Sequence, residues 1–124
     1  MRDHDVAMRV YVQLAVISHQ KQQAQVRDRF LMLAGVEACR AGCPDVAARC
    51  REKLIMANPV HQASRHATLA DALRDEEFQQ LVVKWERYCP FEKAEAMLRQ
   101  LNLPPDEPTD LAIGEQLVKM LDEV

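Results

Sequence analysis

Gly42-Cys43-Pro44-Asp45 constrains this chain more than any other stretch, because it interrupts two apolar patterns of helical period. Gly42 suits the left-handed residue just past a helix end. Pro44 suits the first helical position, where a missing N–H costs nothing. Asp45 puts negative charge in the first turn, where the helix dipole favours it. Phe30, Leu33, Ala34 and Ala38 recur at helical spacing before the break; Val46, Ala47, Cys50, Leu54 and Ala57 do so after it. Asn58-Pro59 then ends the second helix. A helical hairpin over 28–61 is predicted, with Ala34, Gly35, Ala38 and Gly42 facing Ala47 and Cys50. A mid-helix glycine costs about 1 kcal/mol against alanine, so Gly35 predicts that another backbone comes close there.

The rest of the chain reads as partners for that pair. Val6 to Gln20 carries a stripe of Val6, Val10, Leu14 and Ile17, widened by Tyr11 and Ala15, with Asp3 or Asp5 as the cap. Lys21 to Gln25 is a polar junction. His61 to Arg74 is expected as one helix with Ala63, Ala67, Ala70 and Leu73 inward. Asp75 caps the next helix, whose stripe is Phe78, Leu81, Val82 and Trp85; Phe78 and Trp85 are read as core rather than as a stacking platform. Pro90 opens a helix carrying Phe91, Ala94, Met97, Leu98 and Leu101 on one face. Residues 104–108 form a Pro-rich linker, and 109–124 an amphipathic helix with Ile113, Leu117, Met120 and Leu121 on its stripe. This divides the chain into a helical domain over 1–103, the linker, and a C-terminal helix that packs on the domain or on a partner subunit.

Helix formers dominate and only three glycines occur, so the expected class is all-α. No apolar run approaches the roughly 18 residues a membrane span needs, and the charged start MRDHD is unlike a secretory signal. A cytoplasmic protein with no membrane partner and reduced cysteines is expected. The net charge of −3 and the absence of a basic aromatic motif argue against nucleic acid. The charge is uneven, however. Residues 104–124 carry one Lys against six acids, whereas Lys21 to Arg65 carries eight basic residues against four acidic ones.

At 28–61 the chain resembles a tetratricopeptide repeat. Ala34-Gly35 stands where that motif has Leu-Gly, Gly42 falls at its turn, Ala47 at its small crossing residue and Pro59 at its terminator. Leu31, Ala38 and Arg51 replace its Trp, Tyr and Phe, and 62–95 reads as a degenerate second copy. The resemblance implies a right-handed array of antiparallel helical hairpins, five to six helices in all. It also implies a non-catalytic protein–protein interaction module. In that family the first helix of each repeat lines a groove that holds a peptide or helix. The matching stripes here are Arg29, Met32, Val36 and Arg40 on one helix, and Ala63, His66, Ala70 and Arg74 on the next. The asparagine-and-lysine pattern that clamps a terminal carboxylate in some members is absent. Fewer than two repeats cannot cover their own faces, so either the terminal helices act as caps or subunits pair; a homodimer is the expectation.

Chemistry is less evident. Cys39, Cys43, Cys50 and Cys89 lack the C-x2-C spacing of zinc knuckles, and no metal or cofactor is expected. No nucleophile-elbow, zinc-protease or phosphate-loop motif is present. The alternative function is a small helical enzyme or ligand-binding protein using His61, Arg65 and His66. The acidic C-terminal helix is expected either in the basic groove at Arg29 and Arg40 or, by sequence neighbourhood, on Met97 and Leu101.

Overall fold

The computed structural model describes residues 3–101 and 113–124. Among these, the chain runs α1 (Asp3–Gln20), α2 (Ala24–Ala41), α3 (Pro44–Ala57), a 3-10 turn (Gln62–Arg65), α4 (Leu69–Ala72), α5 (Glu76–Tyr88), α6 (Phe91–Gln100) and α7 (Ile113–Leu121), with no strand. The all-α expectation stands. Seven α-helices rather than five or six are present among the described residues, α4 being a single turn. The linker 104–108 and the first residues of the C-terminal helix expected at 109–124 lie outside the described residues. No described helix is long and apolar enough to cross a membrane.

The α2–α3 corner forms for the reasons its sequence gives. Gly42 adopts φ 76°, and the amides of Gly42 and Cys43 return to the carbonyls of Cys39 and Ala38 at 3.3 and 2.8 Å. Those two bonds satisfy carbonyls that the helix end leaves open. The α1–α2 corner repeats the arrangement without glycine: Gln22 takes φ 60°, and Gln22 and Gln23 bond back to His19 and Ser18. Left-handed backbone costs roughly 1–2 kcal/mol for a residue with a Cβ, which the packing of α1 along α2 offsets.

α1 is the most enclosed element. Met8, Val12 and Ala15 are fully buried, and Ala7, Val10, Tyr11, Leu14 and Val16 nearly so. One stripe was expected; the burial runs around most of the helix because α2, α6 and α7 all pack against it. α1 starts at Asp3, so both Asp3 and Asp5 lie within its first turn instead of ahead of it.

Residues 61–74 depart from the single helix expected. The imidazole of His61 accepts the Ala63 amide at 3.1 Å, and the Ser64 hydroxyl donates to the His61 carbonyl at 2.7 Å. His66 is extended, and Thr68 accepts the Asp71 amide at 3.1 Å to start α4 afresh. Local side-chain bonds to the backbone outcompete helix continuation here. The break shifts the inward set: Ala67 and Ala70 are exposed, while Ala63, Leu69 and Ala72 are buried. Leu69 then fills the space over Gly35. A Cβ on Gly35 would collide with the Leu69 side chain and stand 3.2 Å from the Cβ of Cys50. The close neighbours at Gly35 are thus side chains of α4 and α3, not a second backbone.

α7 packs on α1 and α3. Leu117 and Leu121 are fully buried, and Asp122 meets Arg49 of α3 at 3.1 Å. Its main neighbours are neither the α2 stripe nor α6. The basic residue that meets it is the half-buried Arg49, and its apolar seat lies on α1 and α3.

Candidate functional site

The expected groove stripe on α2 is largely covered. Met32 and Val36 are each 1% exposed, because α4 and α5 of the same chain pack on α2. Arg40 reaches the surface but is engaged: it bonds Glu37 at 2.9 Å and Glu86 of α5 at 3.3 Å, and His4 of α1 meets the same Glu37 at 2.6 Å. Arg74 is exposed. His66 pairs through Nε2 with Asp75 at 3.0 Å, and its carbonyl accepts from the Arg51 guanidinium. Hydrogen bonding from His66 and from the Glu77 amide holds the Asp75 carboxyl below its usual value.

His61, Arg65 and His66 do not converge. Arg65 reaches Glu77 at 3.5 Å, and His66 reaches Asp75. The Nδ1 of His61 is the acceptor for Ala63, which leaves its proton on Nε2. Burial lowers the His61 pKa, with Asp28 opposing. The cysteines are free, and burial raises the thiols of Cys39, Cys50 and Cys89, so these three remain protonated. Among the described residues, no three His, Cys, Asp or Glu side chains are grouped to hold a metal ion.

Arg29 is where the expected stripe meets something new. Asp75 caps α5 by accepting the Glu77 amide at 2.9 Å, and the buried Phe78 and Val82 fix which face α5 turns to α2. That orientation brings Trp85 and Tyr88, one turn apart, to the rim. Their rings meet edge to face at 5.9 Å. The Arg29 guanidinium carbon lies 4.2 Å from the Trp85 centroid and 5.3 Å from that of Tyr88. Lys84 stands 4.9 Å from Trp85, and Lys93 of α6 stands 5.4 Å from Tyr88. α6 is held in reach by Tyr11, whose hydroxyl donates to the Cys89 carbonyl at 2.9 Å, at the corner where Pro90 starts the next helix. Burial is the main reason the Tyr11 phenol is pushed well above its ordinary value.

Two cavities flank this cluster. The larger, about 310 Å³, has walls of Val26, Phe30, Leu33 and Met97 and a rim of Arg29, Trp85, Tyr88 and Lys93; no Asp or Glu lines it. The smaller, about 220 Å³, is lined by Asp28, Met32, Asn58 and His61. Arg29 and Trp85 line both, so this pair is the wall between them. An apolar hollow with a cationic, aromatic rim takes an apolar group that carries negative charge.

Of the expected groove residues, Arg29 borders both cavities and Met32 lines the smaller one. Trp85, read as core, is partly buried against the core and also forms the rim; Tyr88 is 61% exposed, and neither it nor Lys93 stood out in the sequence. The spacing Trp85-x-x-Tyr88 with Lys84, Arg87 and Lys93 nearby is the signal that marks them. No protein-family model, curated protein or solved structure matches this chain.

Proposed function

We propose that this protein is a non-catalytic protein–protein interaction module, and that it receives a peptide segment at the cavity between α2, α5 and α6. The observation that carries this is the 310 Å³ apolar hollow rimmed by Arg29, Lys93, Trp85 and Tyr88. Its size suits one large apolar side chain, and its rim supplies the aromatic and arginine contacts that concentrate binding energy at interfaces. In this proposal α1, α2 and α3 form antiparallel hairpins of the tetratricopeptide kind, supported by the two tight left-handed corners at Gln22 and Gly42. The peptide then enters beside the first helix of the central hairpin, at its Arg29 end, not along the covered Met32–Val36 stripe. A reducing cytoplasmic setting goes with this function, all four cysteines being free.

The test is a selection of random displayed peptides on the full chain, followed by competition. Enriched peptides should carry a large apolar residue, and they should lose binding to Leu33→Gln and Lys93→Glu variants that retain the wild-type helical circular-dichroism spectrum. Enrichment of nothing, or of peptides indifferent to both variants, would overturn the proposal.

A further inference from the structure

Arg29 differs from the other half-buried arginines with assigned contacts. Arg27 bonds Asp28 at 3.1 Å, Arg49 bonds Asp122 at 3.1 Å, and Arg51 donates to the His66 carbonyl. Arg29 makes no hydrogen bond or ion pair among the described residues; its contacts are the rings of Trp85 and Tyr88. A guanidinium carbon 4.2 Å from a ring centroid is at stacking distance. With no hydrogen bond or ion pair made among the described residues, its N–H donors are unclaimed there. Five such donors in a rigid fork match a carboxylate in bidentate fashion.

The surroundings favour an anion on the larger cavity's side. Lys93 lines that cavity, whose lining includes no Asp or Glu, whereas the smaller cavity already contains Asp28. Arg29 is also held in place by the ring beneath it, so less side-chain freedom is lost on binding than for a free surface arginine.

Resting on the peptide-binding function above, we propose that Arg29 is the receptor for a carboxylate of the partner. That carboxylate stands next to the side chain filling the larger cavity. The recognition unit is therefore a large apolar residue adjacent to Glu or Asp.

Trp85 is the chain's one tryptophan, and its indole touches Arg29, so its fluorescence reports the event directly. The experiment titrates the full chain with short end-blocked peptides in which Leu, Phe or Trp is followed by Glu, Gln, Lys or phosphoserine, the Trp peptides being read by calorimetry. The Glu peptides should bind tightest and weaken as salt is added. Arg29→Gln should weaken the Glu peptides roughly ten- to a hundredfold more than it weakens the Gln peptides, the range of a lost charged hydrogen-bonded pair. Arg29→Lys, which keeps the charge but loses the fork, should fall between. Binding with no preference for Glu over Gln, or equal binding by Arg29→Gln, would overturn the carboxylate receptor while leaving the peptide site intact. A strong preference for phosphoserine over Glu would overturn the choice of carboxylate. Absence of binding by every peptide would overturn both the receptor and the site.

Discussion

Leu69 occupies the space in which a Cβ on Gly35 would stand. The contact joins α4, a single turn, to the middle of α2, and it explains a glycine at a position where helix propensity disfavours one. Gly35→Leu should destabilise the fold by about 1–3 kcal/mol through overpacking. Gly114, near the start of α7, has nothing within 4 Å of an added Cβ, so Gly114→Leu should cost clearly less. Urea midpoints of the two variants compare them directly, and equal midpoints would remove the claim that Gly35 marks the tight crossing.

The hydroxyl of Tyr11 ties α1 to the α5–α6 corner. Tyr11→Phe keeps the ring stacked near Phe30, with centroids 6.2 Å apart, but leaves the Cys89 carbonyl without its donor. The expected loss is about 1–3 kcal/mol, the cost of a buried polar group left unpaired. Equilibrium denaturation of wild type and Tyr11→Phe measures it. An unchanged midpoint would mean that solvent reaches the carbonyl.

His61 gives the fold a dependence on pH. Its pKa in the folded chain is below the ordinary histidine value of about 6.5, chiefly because of burial. Between the two values the unfolded chain binds more protons, so stability falls as pH drops below about 6.5 and continues to fall until the folded pKa is passed. Protonation also removes the Nδ1 acceptor used by Ala63. His61→Asn supplies an oxygen acceptor at the same cap without titrating. The difference in stability between pH 7 and pH 5.5 should be smaller in His61→Asn than in wild type. An identical difference would show that other groups govern the acid side.

The seating of α7 rests on burial rather than charge. Leu117→Ala and Leu121→Ala should each cost about 2–5 kcal/mol, as fully buried leucines do. Asp122→Asn should change stability by less than about 1 kcal/mol, because the Arg49–Asp122 pair is a surface ion pair. Thermal melts of the three variants test the ordering, and a larger loss from Asp122→Asn would reverse the account.

Much of this was legible where one residue carries a local instruction. Gly42 and Pro44 set the α2–α3 corner, Asp75 starts α5, and the apolar spacing of Leu117 and Leu121 gives the buried face of α7. The sequence was less informative where signals compete over a few residues. Ala63, Ala67 and Ala70 keep helical spacing, yet His61, Ser64 and Thr68 bond to nearby backbone and break the helix between them. It was silent where the outcome depends on distant segments meeting. Arg29 looks like any groove arginine until Trp85 arrives beneath it, and no local pattern records that pairing. The cover over Met32 and Val36 has the same origin, since it depends on how α4 and α5 fold back over α2.

The enclosure of α1 has a consequence during synthesis. Contacts between α1 and α7 join segments separated by most of the chain, and such long-range closures are slow relative to local helix pairing. A ribosome adding 5–20 residues per second needs roughly 5–20 s to travel from the end of α1 to the start of α7. Through that interval α1 gains α2 early but still lacks α7, which packs on it in the finished fold. The nascent chain therefore carries an open apolar face for seconds, and that face is where a chaperone would be expected to hold it.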